Sequence, residues 1–169
     1  MNKIKSLKNL SRTKLNLPIV LTGGGFDLFH MGHAEFLRLC KSYGNTLIVL
    51  IASDKRLRKT KGKYRPIVGE KDRAKLVSYL QFVDYAFISD IRCEDKKILE
   101  EIKPDSLVLS DENEKEKLEY LKKHNSKESL AKIRIEFVPS KFYSVEMSTT
   151  KLINTIISKI TTNNNSNLI

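Results

Sequence analysis

Six consecutive apolar residues, Leu47 to Ala52, form the longest such run in the chain and set the tightest limit on its fold. A helix that crosses a bilayer needs roughly 20 apolar residues, so this run is too short to span a membrane. It also lacks the polar–apolar alternation of a strand with one wet face. Unbroken apolarity over this length suits a strand buried on both faces, as in a parallel sheet covered by helices. Four shorter stretches read as further strands: Pro18–Thr22, Tyr85–Ile88, Ser106–Leu109 and Ile133–Val138. Between them a 3.6-residue period predicts helices over Met31–Tyr43, Glu70–Leu80, Asp95–Ile102 and Glu112–His124, while Leu152, Ile153, Ile156, Ile157 and Ile160 mark a last one. Strands alternating with helices predict an α/β fold with a doubly wound parallel sheet of five strands flanked by helices.

A chain of 169 residues can bury one core without disulfide or metal support. Cys40 and Cys93 lie 53 positions apart with no CxxC or Cys/His cluster, so neither a disulfide framework nor a zinc site is expected. No apolar core of about 7 to 15 residues marks a secretory signal, and a reducing cytoplasm is the expected setting. Lys and Arg number 31 against 20 Asp and Glu, a net charge of +11, but the excess is local. Residues 1–16 carry +5 and residues 55–65 carry +7, which leaves the other 142 residues at −1. The expected layout is a basic N-terminal arm (1–16), one domain (17–160) and a disordered polar tail (161–169). The acid-free arm also has the composition of an organellar transit peptide. Basic segments of this kind suit a nucleic-acid backbone, a small polyanion such as a nucleotide, or plain solvation, and charge alone does not choose.

In a doubly wound sheet, ligands bind beyond the carboxyl ends of the strands, so the segments that follow strands carry the chemistry. The first is GGGFDLFHMGH (23–33). Its glycines allow a sharp turn and close approach to a ligand. Asp27 can cap the turn, hold a loop amide or hold a cation. His30 and His33, three apart at a helix start, share one face beside the positive end of the helix dipole, which suits phosphate oxygens. No nearby Cys, Glu or Asp completes a metal set with this His pair. His124 lies in the charged run Lys122–Asn125 and is expected to be solvated surface without a role.

The sequence resembles the HxGH-type, cytidylyltransferase-like nucleotidyltransferase superfamily, whose fold is Rossmann-like. The resemblance rests on four landmarks in order: GGGFDLFHMGH, then SDKRLRKTKGKYRPIV (53–68) followed by Asp72-Arg73, then KPDSLVL (103–109), and STTKLI (148–153). It runs from Ile19 to about Ile157 and is strongest to the nucleotidyltransferase domain of bacterial ADP-heptose synthase, with glycerol-3-phosphate cytidylyltransferase and archaeal FAD synthase as relatives. The resemblance implies transfer of a nucleotide from an NTP, CTP or ATP, to a phosphorylated sugar or polyol, with release of pyrophosphate. By the same resemblance His30, His33, Lys61 and Arg73 are the catalytic set. Gly24, Gly25, Phe26, Asp27, Gly32, Asp54, Asp111, Ser148 and Thr149 are expected to bind the nucleotide. Mg²⁺ is expected as cofactor, held mostly by substrate and water, with Asp27 as the candidate protein contact. A homodimer is expected by analogy.

Three departures bear on specificity. Ser110-Asp111-Glu112-Asn113 stands where the heptose branch has a glycine-rich turn ending in Asp. Phe142 and Tyr143 stand on the approach to Ser148, where cytidylyltransferases usually carry an arginine, and an arginine common near Gln81 in the glycerol-phosphate branch is missing. Two alternatives therefore stay open: an FAD synthase-like adenylyltransferase acting on FMN, and a non-catalytic basic RNA-binding module on the same fold. Nucleic-acid binding is the less expected, because only Tyr64 interleaves an aromatic ring with the basic run 55–65.

Overall fold

Every residue from Thr46 to Ala52 is buried in a strand, as the unbroken apolar run requires. The computed structural model describes Leu10 and residues 12–143 and 148–166. Its strands are β1 (Ile19–Gly24), β2 (Thr46–Ala52), β3 (Tyr85–Ser89), β4 (Ser106–Ser110) and β5 (Arg134–Val138). Its helices are α1 (Met31–Lys41), α2 (Asp54–Lys61), α3 (Glu70–Ser78), α4 (Lys96–Ile102), α5 (Glu114–His124), α6 (Lys127–Leu130) and α7 (Thr149–Ser166). The strands form one parallel sheet in the order β3-β2-β1-β4-β5, the Rossmann-like, doubly wound α/β fold. From β1 the chain winds outward through β2 and β3, then crosses back to place β4 on the other side of β1. The order reverses between β1 and β4, and a crevice opens there at the carboxyl ends of the strands.

Successive strand residues face opposite sides of the sheet, which divides the core in two. Val20, Val49 and Ile51 pack with Phe36, Leu37 and Cys40 of α1 and with Ala74 and Val77 of α3. Ile19, Leu21, Ile48 and Leu50 pack with Ile98, Leu99 and Ile102 of α4 and with Leu121 of α5.

Besides the short α6, which the sequence reading does not include, three segments differ from it. The basic stretch after the second strand, where the sequence pattern predicts no helix, is helical over α2, started by Ser53, whose Oγ accepts from Arg56 N, and ended at Gly62 with φ 97°. Leu57 is the only residue α2 buries, so no apolar period announced the helix. The arm is anchored at its end: Leu10 and Leu15 pack on the α4/α5 side of the core, and Arg12 pairs with Asp105 at 2.9 Å and donates to Lys103 O. Its Lys3, Lys5 and Lys8 lie outside the described residues. The last helix runs on to Ser166 instead of ending at 160, and Thr161 Oγ1 donates to Ile157 O and Ser158 O at 3.0 Å. Helix propensities of Asn and Thr fall short of alanine by less than about 0.7 kcal/mol each, too little to force a stop. Residues 167–169 of the expected tail and Ser144–Met147 ahead of α7 lie outside the described residues.

Candidate functional site

A cavity of about 390 Å³ opens at the crevice between β1 and β4. Its floor is the turn after β1, which carries unusual backbone: Phe26 and Leu28 adopt left-handed φ values of 52° and 45°. Bulky residues rarely hold that conformation, and it persists only where neighbours enforce it. Asp27, only 2% exposed, is the enforcing residue. Its carboxylate accepts from Leu28 N at 3.1 Å, Ile67 N at 3.0 Å, Val68 N at 2.9 Å and Arg65 Nε at 2.7 Å. Burial alone would raise its pKa, but the two loop amides and Arg65 outweigh burial and hold it below the ordinary 3.8.

Arg73, at 1% exposure, closes the arrangement from behind. It donates to Val68 O at 2.8 Å, to Gly25 O, to Ala52 O at 2.8 Å and to Asp54 Oδ1 at 2.7 Å. Asp27 and Arg73 together staple the 65–68 segment to the turn after β1.

The two histidines enter from the start of α1. Their rings stack at 3.9 Å between centroids and 27° between planes, and His30 N donates to His33 Nδ1 at 3.4 Å. Gly32 between them is closely packed: a Cβ there would lie 3.0 Å from His30 Cε1, 3.1 Å from His30 Nδ1 and 3.3 Å from Tyr143 O, so the His30 ring would have to give by a few tenths of an ångström. His30 Nδ1 is buried with no hydrogen-bond partner among the described residues. Burial, then the neighbouring His30, push the His33 pKa down to about 3 against the pull of Asp27, and burial lowers that of His30 against Glu112. Both rings are therefore neutral at pH 7 in the free protein.

Other elements converge on the same space. Lys61, the last residue of α2, and Arg65 line the cavity on the β2 side. Ser148, Thr149 and Thr150 bring the start of α7 to it, with Ser148 Oγ accepting from Lys151 N at 3.2 Å and Thr149 Oγ1 donating to Asp27 O at 2.8 Å. The cavity thus receives the positive dipole ends of two helices, two cationic side chains and two imidazoles, a set of donors suited to phosphate oxygens.

Of the expected site residues, the structure brings His30, His33, Lys61, Gly24, Gly25, Phe26, Asp27, Gly32, Ser148 and Thr149 to this cavity. It does not bring Arg73, Asp54 or Asp111 to the wall. Arg73 faces backbone carbonyls, and Asp54 borders a separate cavity of about 330 Å³ with Ser53, Lys55, Arg58, Glu70 and Asp90. Of the seven cations in 55–65, only Lys61 and Arg65 line the main cavity; Arg56, for one, donates to Ile91 O. Sequence reasoning noted Arg65 within a landmark, and Ser110, Glu112 and Tyr143 as departures bearing on specificity, but assigned none of them a role in the site. For Ser110 and Glu112 the signal was available, because they follow the strand beside the switch point.

A metal contact through Asp27 does not fit, since four donors already fill both of its oxygens. Among the described residues no group of three or more His, Cys, Asp or Glu could hold a metal ion. None of the described helices is long and apolar enough to cross a membrane.

A family model described as cytidylyltransferase-like matches residues 21–155. The chain is 44% identical over 108 residues to bifunctional protein HldE from Helicobacter pylori, a match that covers 63% of this chain and 23% of that protein. It is 42% identical over 90 residues to bifunctional protein HldE from Koribacter versatilis, covering 53% of this chain and 18% of that one. The chain therefore spans about a quarter or less of the length of these relatives. Among solved structures it is similar to a lipopolysaccharide core biosynthesis protein from Thermoplasma volcanium, with a TM-score of 0.57 and 30% identity over 71% of this chain and 94% of that one.

Proposed function

The chain belongs to the cytidylyltransferase-like family and is a nucleotidyltransferase, and from that premise we propose that it joins CTP or ATP to a phosphorylated sugar or polyol. The product is an NDP-activated compound and the leaving group is pyrophosphate. The observation that carries this reading is the meeting of two imidazoles, two cations and two helix N-termini on one cavity.

The chemistry follows from those groups. The acceptor phosphate, with a second pKa near about 6, is mostly dianionic at neutral pH and attacks the α-phosphorus without a general base. What the reaction requires is to hold two mutually repelling anions in line and to stabilise the charge that builds on the departing pyrophosphate. Lys61 and Arg65 act from the β2 side; His30, His33 and the start of α7 act from the other. Because the imidazoles are neutral in the free protein, they donate through N–H, and the triphosphate's charge favours their protonation on binding. Mg²⁺, if required, enters as part of the metal–triphosphate substrate. Arg73 and Asp27 are positioning residues that keep the turn and Arg65 in place.

Gly32→Ala tests the packing around His30. The new methyl group must displace that ring, so kcat/KM should fall about tenfold while the melting temperature changes little. An unchanged rate would show that the His30 ring position is not needed.

The reading as a whole is tested by measuring pyrophosphate release with each of the four nucleoside triphosphates against a panel of sugar and polyol phosphates. Release is expected with CTP or ATP and at least one acceptor. Silence across the panel together with tight, salt-sensitive RNA binding would favour the non-catalytic alternative. A homodimer and a cytoplasmic setting belong to the same proposal. The dimer is supported by Ile156, Ile157 and Ile160, which α7 leaves more than half exposed.

A further inference from the structure

Helix α2 presents two different faces. Leu57 and Lys61, four residues apart, share the face that lines the main cavity. Lys55, Arg58 and Lys59, spaced by three and four, share another, and Lys63 follows the helix end at Gly62. Lys55, Arg58, Lys59, Lys61 and Lys63 are all exposed, and none of them is paired with a carboxylate among the described residues. Arg65, in contrast, is taken up by Asp27, and Arg56 by Ile91 O. From Lys55 to Gly69 the chain holds no Asp or Glu.

The charge is graded along the helix. At its start Lys55 and Arg58 border the second cavity together with Glu70 and Asp90, whose charges offset theirs. At its end Lys59, Lys61 and Lys63 add three charges beside the main cavity. The acids lining that cavity are Asp27, already paired with Arg65, and Glu112, which follows β4 on the far side of β1. Positive potential therefore strengthens toward Lys61 at the cavity. Six residues at 1.5 Å of rise put Lys55 about 9 Å from Lys61 along the axis, close to the Debye length of about 8 Å at physiological salt. The whole ridge is felt at the cavity, its nearer cations most. Compensation of the helix dipole accounts for Arg58, Lys59 and Lys61 in the last turn. It does not account for Lys63, beyond the helix end, or for Lys55, in the first turn where the dipole disfavours a cation.

We propose that the cations of α2 form an electrostatic guide for the nucleoside triphosphate. Lys55, Arg58, Lys59 and Lys63 raise its rate of encounter with the cavity without touching it once bound. Guidance of this kind raises association rates by about 10- to 10³-fold and fades with salt. A single-stranded nucleic acid fits the ridge less well, because Tyr64 is the only ring in the run on which a base could stack. The identity of the guided anion rests on the nucleotidyltransferase reading.

The test is stopped-flow association of ATP and CTP carrying a fluorescent ribose label with the full chain and with Lys59→Gln/Lys63→Gln, a double variant at positions that line neither cavity. Salt is varied from roughly 0.01 M, where the Debye length is about 30 Å, to roughly 1 M, where it is about 3 Å. At low salt the variant should associate about three- to tenfold more slowly, and at high salt the two proteins should coincide. Dissociation rates and melting temperature should not change. Lys59→Glu/Lys63→Glu should slow low-salt association further. Equal association rates at low salt would overturn the guide. So would faster dissociation from the variant, which would place the two lysines in contact with bound nucleotide. A lower melting temperature with unchanged association would reduce the ridge to helix capping. Salt-sensitive binding of single-stranded RNA that the variant loses, with triphosphate association unchanged, would make it a nucleic-acid surface instead. A wild type that binds neither triphosphate would leave nothing to guide and would overturn the proposal too. Association is read without turnover, so a failure to release pyrophosphate counts against the nucleotidyltransferase reading and not against the guide.

Discussion

Replacing His33 by alanine should lower kcat by on the order of 10² to 10³, the usual loss when one preorganised charge-stabilising donor is removed. His33 is fixed by stacking on His30 at 3.9 Å and by ring contacts with Phe26 at 5.5 Å and Phe29 at 5.4 Å, so it meets the transition state without reorganising. The fold should survive, because the neutral ring makes few bonds that others depend on. A stability profile gives an independent check on its charge state. The folded pKa of about 3 lies below the ordinary 6.5, so between those values the unfolded chain binds a proton that the folded chain refuses. Stability should therefore decline as pH falls below 6.5, and His33→Gln should flatten that decline in urea titrations run at a series of pH values. Full kcat in both His33→Ala and His30→Ala would remove the histidines from the mechanism.

Asp27→Asn should cost about 3–5 kcal/mol, the range seen when one partner of a buried ion pair is removed. The amide keeps the shape of the carboxylate but turns an NH₂ group toward donors, stranding either Leu28 N and Val68 N at one oxygen position or Arg65 Nε and Ile67 N at the other. In a chain of this size the loss corresponds to a fall in melting temperature on the order of 10 °C. Its pH dependence has the opposite origin from that of His33. The carboxylate's pKa is depressed, so its stabilisation is present above 3.8 and is lost as pH falls through the lower folded value. The wild type should lose this contribution in strong acid, whereas Asp27→Asn should lack it throughout. A variant as stable as the wild type would mean that the 65–68 segment is held by Arg73 alone.

Much of this architecture was legible in the sequence, for reasons that individual residues make plain. Leu47–Ala52 announced a strand buried on both faces because only that environment tolerates unbroken apolarity, and GGGFDLFHMGH marked the turn at the switch point. Helix α2 was missed because its single buried residue, Leu57, leaves no period to detect. Arg73 was read as facing phosphate, since an arginine in a polar helix looks the same whether its guanidinium faces a ligand or, as here, backbone carbonyls of three separate segments. Two of those partners, Gly25 and Ala52, are distant in sequence, and only the folded chain brings them together. Tyr143 was read only as a departure on the approach to Ser148, because its place beside the cavity depends on the pairing of β4 with β5.

The central claim is that the α-phosphorus of a nucleoside triphosphate is transferred to a phosphorylated acceptor at this cavity. Following triphosphate labelled separately at the α and γ positions tests it directly. The account predicts that α label appears in the acceptor product in a one-to-one ratio with pyrophosphate, which carries the γ label. Appearance of γ label in the product, or release of inorganic phosphate without pyrophosphate, would contradict it.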